Sequence, residues 1–433
     1  MTTRREDHQP RTAGGAEQQA RRIYLQTFGC RANQYDTEVV RAMIEAAGSE
    51  IVASPEDADA AVFNSCAVTA AAESDLRQAV RRAARRHPSI RTVVMGCAAA
   101  RDDGTIAALP TVQRVVPGAD IVDVAATLGL SAPSRPPNVQ TGTRALLRIQ
   151  DGCDEHCTFC ATTLARGAAR SRAADALVDE ALHLADRHPE IVLTGIHIGH
   201  YGVDTGASLS ALVEQLIRDV PRVRFRLSSL EATEVDDRLA ELFGDPDRLA
   251  PHLHAPLQSG SDVVLKRMGR HWYSAGRYAA AVERIARRIP VFALGADVIA
   301  GFPGETADDH RATVAVVEAL PFTYLHVFPY SRRPGTAAER LGNHVPGHVI
   351  DERARELRLL ADRCAAAHEA TRVGGECDLV VIGAAAREGL TEDYLTVAVD
   401  ASVPRGTRCR ARLQRVAGEG TRLLGVPLVP IIP

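Results

Sequence analysis

Three cysteines in one short stretch carry the strongest chemical signal in this sequence. Cys153, Cys157 and Cys160 lie within eight residues. Three thiolates can hold one face of a [4Fe-4S] cube and leave the fourth iron without a protein ligand, whereas clusters that only transfer electrons normally have a full set of cysteine ligands. An open iron can bind S-adenosylmethionine (SAM) through its amino and carboxylate groups, and an electron from the cluster then releases a 5′-deoxyadenosyl radical.

A structural zinc site is the alternative at this stretch. His156 would be the fourth ligand beside the three cysteines. It immediately precedes Cys157, and this adjacency would strain a four-ligand site within one short loop. The spacing therefore favours an iron–sulfur cluster over zinc, although these residues alone leave both open.

Three further cysteines follow successive predicted strands in the N-terminal part of the chain. Cys30, Cys66 and Cys97 each come directly after a strand in a pattern where strands alternate with helices. Such alternation predicts a parallel sheet, and ligands bind just beyond the carboxyl ends of its strands. We therefore expect a second set of three cysteines at one sheet edge. The alternative is three unrelated core cysteines, because cysteine often packs as a small apolar residue.

The elements that must position both sets follow from the apolar periodicity. Helices are predicted over residues 36–47 and 73–86, between the N-terminal strands. From residue 144 onward the pattern gives about six β/α units, too few for a closed eight-fold barrel and enough for a partial one. The first strand of this region leads into the Cys153 stretch, at the end of the barrel where active sites lie. The last sixty or so residues predict short strands of a small β-barrel.

The predicted fold class is α/β: an N-terminal doubly wound parallel sheet, a central partial (β/α)6 barrel and a small C-terminal β-barrel. The predicted segments are a polar tail at 1–20, the N-terminal domain at 21–130, a Pro- and Ser-rich linker at 131–143, the central barrel at 144–370 and the C-terminal barrel at 371–433.

Composition sets further bounds. At 433 residues with 45% hydrophobic content, the chain can build two or three cores, and a net charge of −3 gives no global basic field. Nine cysteines in a chain of this length do not indicate a secreted disulfide scaffold. The sequence predicts no membrane span and no signal core, hence a cytoplasmic protein. Three cysteines without ligand spacing are interpreted as structural: Cys364, Cys377 and Cys409.

Nucleic-acid contacts would have to come from local basic patches. One candidate is a predicted helix face that carries Arg77, Arg81 and Arg85. Another is a predicted strand on which Arg408, Arg410 and Arg412 alternate, within a stretch (401–415) that has no acidic residue. Contact with an RNA backbone is one interpretation of each patch. A solvated helix face and a solvated edge strand are the alternatives.

With both cysteine sets placed, the chain closely resembles the radical SAM methylthiotransferases from about residue 23 onward. The resemblance rests on Thr27–Asn33, Asn64–Cys66, Met95–Cys97, Gln150–Cys160, Arg166–Gly167, Arg170–Arg172, Pro256–Ser261 and Asp297–Glu305. Three further stretches resemble the branch that modifies N6-threonylcarbamoyladenosine in tRNA: Gly29–Glu38, Glu190–Gly202 and His326–Gly335. In this family the terminal β-barrel is the RNA-binding TRAM domain.

The resemblance implies methylthiolation of C2 of N6-threonylcarbamoyladenosine at position 37 of tRNA, beside the anticodon. It implies that Cys153, Cys157 and Cys160 hold a radical-generating [4Fe-4S] cluster, and that a second, sulfur-transfer cluster is held by Cys30, Cys66 and Cys97. The implied partners are the tRNA anticodon stem-loop, a one-electron donor of the flavodoxin or ferredoxin type, and a sulfur donor. The alternatives are methylthiolation of isopentenyl-adenosine in tRNA and a non-catalytic RNA-binding protein with an iron–sulfur or zinc site.

SAM contacts are predicted only from position. Five residues lie just past strands on the expected active-site face, with ordinary turn chemistry as the alternative: Gly195, Ser228, Glu231, Gln258 and Ser259. Four histidines suggest a metal site, but because cysteines supply both clusters we expect structural or substrate-contact roles for them: His197, His200, His252 and His254.

Overall fold

The computed structural model describes residues 20–67, 70–131, 139–383, 387–415 and 423–428. The predicted tail at 1–20 lies outside the described residues except for Ala20, and so does most of the predicted linker. In the parts of the chain that are described, no helix is long and apolar enough to cross a bilayer.

The N-terminal region is a parallel sheet with helices on both faces. Its strands are β1 (Arg22–Thr27), β2 (Glu50–Val52), β3 (Ala60–Ser65), β4 (Arg91–Gly96) and β5 (Val112–Pro117), in the order β2-β1-β3-β4-β5. Its helices are α1 (Arg31–Ala46), α2 (Ala70–Arg86) and α3 (Ile121–Leu128). One apolar cluster includes residues of α1 and α3 and another includes residues of α2, so the predicted doubly wound sheet is confirmed.

The first helix begins earlier than predicted. It starts at Arg31, directly after Cys30, rather than at residue 36. The sequence pattern favoured Asp36 because aspartate is a common N-cap. In the structure Asp36 is instead a buried helical residue, and its carboxylate pairs with Arg148 and Arg166 of the central barrel. Edge strands β2 and β5 were also missed.

The central region is a six-stranded parallel array. Its main strands are β6 (Ala145–Arg148), β9 (Glu190–Thr194), β10 (Arg224–Leu227), β11 (His252–His254), β12 (Ala293–Ala300) and β13 (Phe322–Pro329); a small hairpin adds β7 (Gln150–Asp151) and β8 (Arg170–Ser171). The helices are α4 (Thr162–Arg166), α5 (Ala174–Ala185), α6 (Leu209–Asp219), α7 (Asp237–Leu242), α8 (Asp262–Arg267), α9 (Ala275–Ala286), α10 (Ala307–Ala319) and α11 (Gly347–Arg372). Parallel bridges from Phe225 to Leu249 and from Ser229 to His254 join the two halves of the array.

The C-terminal region is a closed five-stranded barrel. Its strands are β14 (Glu376–Val381), β15 (Glu388–Thr391), β16 (Thr396–Val399), β17 (Arg408–Arg415) and β18 (Leu423–Pro427). The sequence pattern did not single out β15, a four-residue strand that contains a glycine and therefore gives a weak strand signal. Cys377 is buried in the core of this barrel, and Cys409 packs against that core.

The C-terminal barrel is joined to the central array by buried polar contacts. Glu190 on β9 accepts hydrogen bonds from Arg224 and Arg226 on β10, and all three side chains are fully buried. Arg224 also donates to the carbonyl of Asp378 at 2.9 Å. Arg226 donates to the carbonyl of Thr391 at 3.0 Å. The two regions keep separate apolar cores and are joined by these buried polar contacts.

Candidate active site

The loop of residues 152–160, here called the cysteine loop, is held at both ends by backbone contacts. Gly152 has a φ of +73°, and a Cβ there would overlap the carbonyl of Ala168. The Cys153 amide donates to the Gly167 carbonyl at 3.0 Å. The Thr158 amide donates at 2.8 Å to the carbonyl of Met268, the residue that follows α8. Glycine is needed at the start of this loop for two reasons. Residues with a side chain rarely adopt this backbone conformation, and a Cβ would have no space here.

A buried arginine donates to the middle cysteine of the loop. Arg270 Nη1 lies 3.4 Å from Cys157 Sγ, and the same guanidinium bonds to Glu231 and to the Tyr273 hydroxyl. Burial raises the pKa of the Cys157 thiol to about 12, and Arg270 opposes that rise. The structure thus places one fixed cation beside a thiol that would become an anion on binding metal.

The other two loop cysteines also have defined neighbours. Cys160 Sγ accepts a hydrogen bond from the Thr162 amide at 3.3 Å. Cys153 Sγ lies 3.7 Å from His197 Nδ1, and His197 Nε2 lies 2.8 Å from Glu234. Burial lowers the pKa of His197, but hydrogen bonds with Cys153 and Glu234 outweigh it and raise the pKa to about 10. His156, the ligand of the zinc alternative, is exposed to solvent.

The structure brings the three N-terminal cysteines together at the carboxyl edge of their sheet. The Sγ atoms of Cys30 and Cys97 lie 4.0 Å and 3.8 Å from one atom, Asn33 Oδ1. A Cβ on Gly29, which precedes Cys30, would lie 2.5 Å from Cys66 Sγ. Cys66 and Cys97 are buried, and Cys30 is exposed. These three residues are here called the N-terminal trio.

Arg166 connects the N-terminal trio to the segment that follows the cysteine loop. Its Nε donates to Cys97 Sγ at 3.3 Å, and its Nη2 donates to Asn33 Oδ1 at 2.7 Å. Its carboxylate partners are Asp36 and Asp151. Burial raises the pKa of the Cys97 thiol to about 11, against the effect of Arg166. The Arg166 guanidinium therefore contacts a thiol of the N-terminal trio, and Arg166 itself lies in α4, the helix that follows the cysteine loop.

A cavity of about 180 Å³ lies beside the cysteine loop. Phe159, which lies in the loop, forms part of its wall together with Gln258 and Asp297. Arg333 also lines the cavity and donates to the carbonyl of Ala67, the residue after Cys66. The cavity is therefore bounded by the cysteine loop and by a side chain bonded next to the N-terminal trio.

Two protein families match parts of the sequence, and several named proteins are similar to most of it. Residues 22–118 match Uncharacterized protein family UPF0004, and residues 147–317 match the Radical SAM superfamily. The threonylcarbamoyladenosine tRNA methylthiotransferase MtaB of Bacillus subtilis (strain 168) is 36% identical over 365 residues, which is 79% of this chain and 81% of that protein. The protein of the same name from Aquifex aeolicus (strain VF5) is 33% identical over 396 residues, 87% of this chain and 96% of that one.

This chain belongs to the radical SAM methylthiotransferase family. A relative from Erythrobacter litoralis (strain HTCC2594), named tRNA-2-methylthio-N(6)-dimethylallyladenosine synthase, is 33% identical over 384 residues, 82% of this chain and 85% of that protein. Among solved structures, the radical SAM methyltransferase TsrM from Kitasatospora setae, with tryptophan and aza-SAM bound, gives a TM-score of 0.56 at 16% identity, over 74% of this chain and 75% of that one. That likeness concerns the fold.

Three of the five residues predicted to bind SAM are positioned to contact a polar ligand. Ser228 Oγ and Glu231 Oε2 are buried at the carboxyl end of β10, and neither has a hydrogen-bond partner among the described residues. Gln258 lines the cavity beside Phe159 and has a φ of +61°, which is uncommon for a residue with a side chain. Buried polar atoms without partners are costly, so a ligand with complementary groups fits this edge.

The other two SAM candidates have structural neighbours. A Cβ on Gly195 would lie 2.8 Å from the carbonyl oxygen of Gln150, so this glycine allows a close backbone approach. Ser259 is 1% exposed, and its hydroxyl lies 3.3 Å from that of Thr313. These contacts are compatible with ordinary turn chemistry, and contact of Gly195 or Ser259 with SAM stays a prediction.

Several functional contacts of this methylthiotransferase were not assigned from the sequence. Asn33 and Arg166 fall inside motifs that carry the family resemblance, but nothing in those motifs showed that both contact Cys97. Arg270 was not singled out, because the cysteine it contacts lies 113 positions away in the chain. Contacts at such separations depend on how barrel strands are arranged in space, and local spacing carries no signal for them.

Proposed function

We propose that this protein methylthiolates C2 of N6-threonylcarbamoyladenosine at position 37 of tRNA, using SAM and two [4Fe-4S] clusters. The observation that supports two clusters is the convergence of six cysteines on one region, linked through Arg166. The observation that supports the threonylcarbamoyl substrate is that the relatives at 36% and 33% identity are threonylcarbamoyladenosine tRNA methylthiotransferases by name.

Each cysteine set has a separate role in this proposal. The loop cysteines would hold the cluster that binds SAM, and the N-terminal trio would hold the cluster that supplies the methylthio group. SAM bound at the first cluster would supply the radical chemistry that the C2–H bond requires, because this bond is not acidic and no side-chain base can activate it. Ser228, Glu231 and Gln258 would orient SAM in this proposal, because the first two carry buried polar atoms without a partner among the described residues and Gln258 lines the cavity beside Phe159.

Two buried arginines would balance the charge of the ligands. A cluster held by three thiolates brings net negative charge into a region shielded from water. Arg270 donates to Cys157, and Arg166 donates to Cys97, so each cysteine set has one cation beside one sulfur. Hydrogen bonds to ligand sulfurs also help to set the reduction potential of a cluster.

The partners in this proposal are the anticodon stem-loop, a flavodoxin- or ferredoxin-type electron donor and a sulfur donor, and a tRNA substrate implies a cytoplasmic location. Arg81 and Arg85 are exposed on α2 and are available to a phosphate backbone. On β17 the side chains of Arg410 and Arg412 are about half exposed, but Asp247 and Glu376 pair with them. RNA would compete with these carboxylates at the C-terminal barrel.

Iron analysis of variants tests the assignment of two clusters. Anaerobically reconstituted wild type should contain about eight iron and about eight sulfide per chain. The variant Cys30→Ala/Cys66→Ala/Cys97→Ala should retain about four iron and still cleave SAM to 5′-deoxyadenosine, but make no methylthio product. Replacing Cys153, Cys157 and Cys160 by Ala should abolish SAM cleavage. Eight iron in the first variant would contradict the proposal, and a single zinc in wild type would favour the non-catalytic alternative.

Mass spectrometry of nucleosides decides between the two tRNA branches. In a strain that lacks this gene, 2-methylthio-N6-threonylcarbamoyladenosine should disappear, and 2-methylthio-isopentenyl-adenosine should persist. The reverse result would assign the protein to the isopentenyl branch, whose name the Erythrobacter litoralis relative carries.

A further inference from the structure

A hydrogen-bonded set of two histidines and one aspartate lies on three adjacent barrel strands. His254 Nε2 lies 3.1 Å from Asp297 Oδ1, and His326 Nδ1 lies 3.2 Å from the same oxygen. These residues come from β11, β12 and β13, and they are here called the lumen triad. The radical chemistry proposed above uses none of them.

A stack of aromatic rings packs against the triad. The Tyr324 hydroxyl lies 3.1 Å from His254 Nδ1 and 2.8 Å from His252 Nε2. Tyr394 of the C-terminal barrel stacks on His252 with 4.2 Å between ring centroids. His254 therefore has a partner for each ring nitrogen, and Tyr394 of the C-terminal barrel packs against the neighbouring rings of His252 and Tyr324.

His326 is the member of the triad that remains open to a ligand. Its side chain is 56% exposed, whereas the side chain of His254 is 11% exposed. Among residues 20–67, 70–131, 139–383, 387–415 and 423–428, His326 Nε2 has no hydrogen-bond partner. Within the described residues, the triad thus has one imidazole nitrogen, His326 Nε2, free to bond to a ligand.

Asp297 joins the triad to the proposed reaction site and polarises both imidazoles. Asp297 lines the cavity that Phe159 of the cysteine loop also lines. His326 bonds to Asp297, and its ring centroid lies 6.5 Å from that of Phe328, which lines the same cavity, so His326 lies at the edge of this cavity. Burial raises the pKa of the Asp297 carboxyl, but hydrogen bonds from His254 and His326 outweigh burial and hold that pKa well below its usual range. An imidazole that bonds to Asp297 through Nδ1 and to a second carboxylate through Nε2 donates from both ring nitrogens.

We propose that His326 Nε2 donates a hydrogen bond to the carboxylate of the threonylcarbamoyl group on the substrate adenine, and that this contact selects that base over isopentenyl-adenosine. The inference rests on the proposed function, because it concerns the substituent on N6 of the same base. An isopentenyl group has no hydrogen-bond acceptor, so it would leave the His326 donor without a partner in the complex. Sites built to bond a polar group reject analogues that lack the group far more strongly than apolar pockets reject an added one.

Binding measurements test this contact separately from catalysis. The probes are fluorescent anticodon stem-loops that carry at position 37 threonylcarbamoyladenosine, its carboxamide analogue or unmodified adenosine. Full-length reconstituted wild type should bind the carboxylate form about 10- to 100-fold more tightly than the carboxamide, as expected for a charge-assisted hydrogen bond. His326→Phe should bind both forms equally while its affinity for unmodified adenosine is unchanged. His326→Gln retains an N–H donor and should restore part of the preference.

A matched control and further readouts make the outcome decisive. His348, an exposed residue of the first turn of α11, provides the control His348→Phe, which should keep the full preference. A full preference in His326→Phe, or none in wild type, would overturn the inference. So would a metal ion beyond the cluster iron that His326→Phe loses, because the triad would then be a metal site. If wild type prefers the carboxylate form but makes no methylthio product from it, the proposed function fails and the contact stands.

Discussion

At the scale of single residues, Arg166 has the most contacts relevant to the chemistry. Its guanidinium meets the Cys97 sulfur, the Asn33 amide oxygen and two carboxylates, and its side chain is 1% exposed. A cation that donates to a ligand sulfur stabilises the reduced, more negative form of a cluster. Arg166 is therefore expected to raise the reduction potential of the cluster that the N-terminal trio would hold.

Replacing Arg166 by methionine should lower that potential. We expect a decrease of about 60 mV, which corresponds to a tenfold change for a one-electron couple. The measurement is an EPR-monitored redox titration in a background where Cys153, Cys157 and Cys160 are alanine, so that only one cluster is present. Arg170→Met is the control, because the Arg170 side chain is 62% exposed and lies 4.0 Å from its carboxylate partner. Equal potentials in the two variants would contradict the role assigned to Arg166.

At the scale of elements, the cysteine loop depends on a glycine that has two constraints. Gly152 combines a φ of +73° with a position where a Cβ would overlap the Ala168 carbonyl. Gly206 has a similar φ of +76°, but nothing lies within 4 Å of a Cβ built there. The two glycines therefore separate the cost of backbone conformation from the cost of a steric clash.

Gly152→Ala should displace the cysteine loop and prevent its cluster from assembling. We expect iron to fall from about eight to about four per chain, and SAM cleavage to be lost. Gly206→Ala should cost only about 1 kcal/mol of stability, from the left-handed backbone, and should keep its iron. Iron analysis and urea unfolding of both variants make the comparison. Full iron content in Gly152→Ala would show that the loop tolerates the displacement.

At the scale of the whole molecule, one buried carboxylate is central to the interface between the central array and the C-terminal barrel. Glu190 bonds to Arg224 and Arg226, which donate to carbonyls of the C-terminal barrel. Burial raises the pKa of Glu190, but Arg226 and Arg224 outweigh burial and hold it well below the usual range. A lowered pKa in the folded state means that Glu190 stabilises the protein above its unfolded pKa, and that this contribution is lost as pH falls.

Glu190→Gln should destabilise the protein by about 3–5 kcal/mol at neutral pH, because the buried Arg226 loses its counter-ion and Arg224 keeps only Asp378, 3.4 Å away. The difference from wild type in the free energy of unfolding should shrink below about pH 4, where the unfolded carboxylate becomes protonated. Urea unfolding as a function of pH measures both effects. Glu241, an exposed residue of α7, provides the control Glu241→Gln, which should change stability by less than about 0.5 kcal/mol. A pH-independent difference for Glu190→Gln would contradict the ionised state.

The sequence by itself determined the features that depend on local spacing and periodicity. Cys153, Cys157 and Cys160 are close because few residues separate them. The N-terminal trio could be expected together because successive parallel strands end at the same sheet edge. Apolar periodicity along the chain likewise predicted the α/β class, the six central strands and the C-terminal barrel.

Only the tertiary structure decided which charged groups meet. Asp36 appeared suited to start a helix, yet it is buried against Arg148 and Arg166 from another domain. The strand of alternating arginines has no acid nearby in sequence, yet Asp247 of the central region pairs with Arg410. Electrostatic partners and burial depend on which surfaces pack together, and the folded arrangement of the domains sets them because no local sequence pattern encodes contacts across such separations.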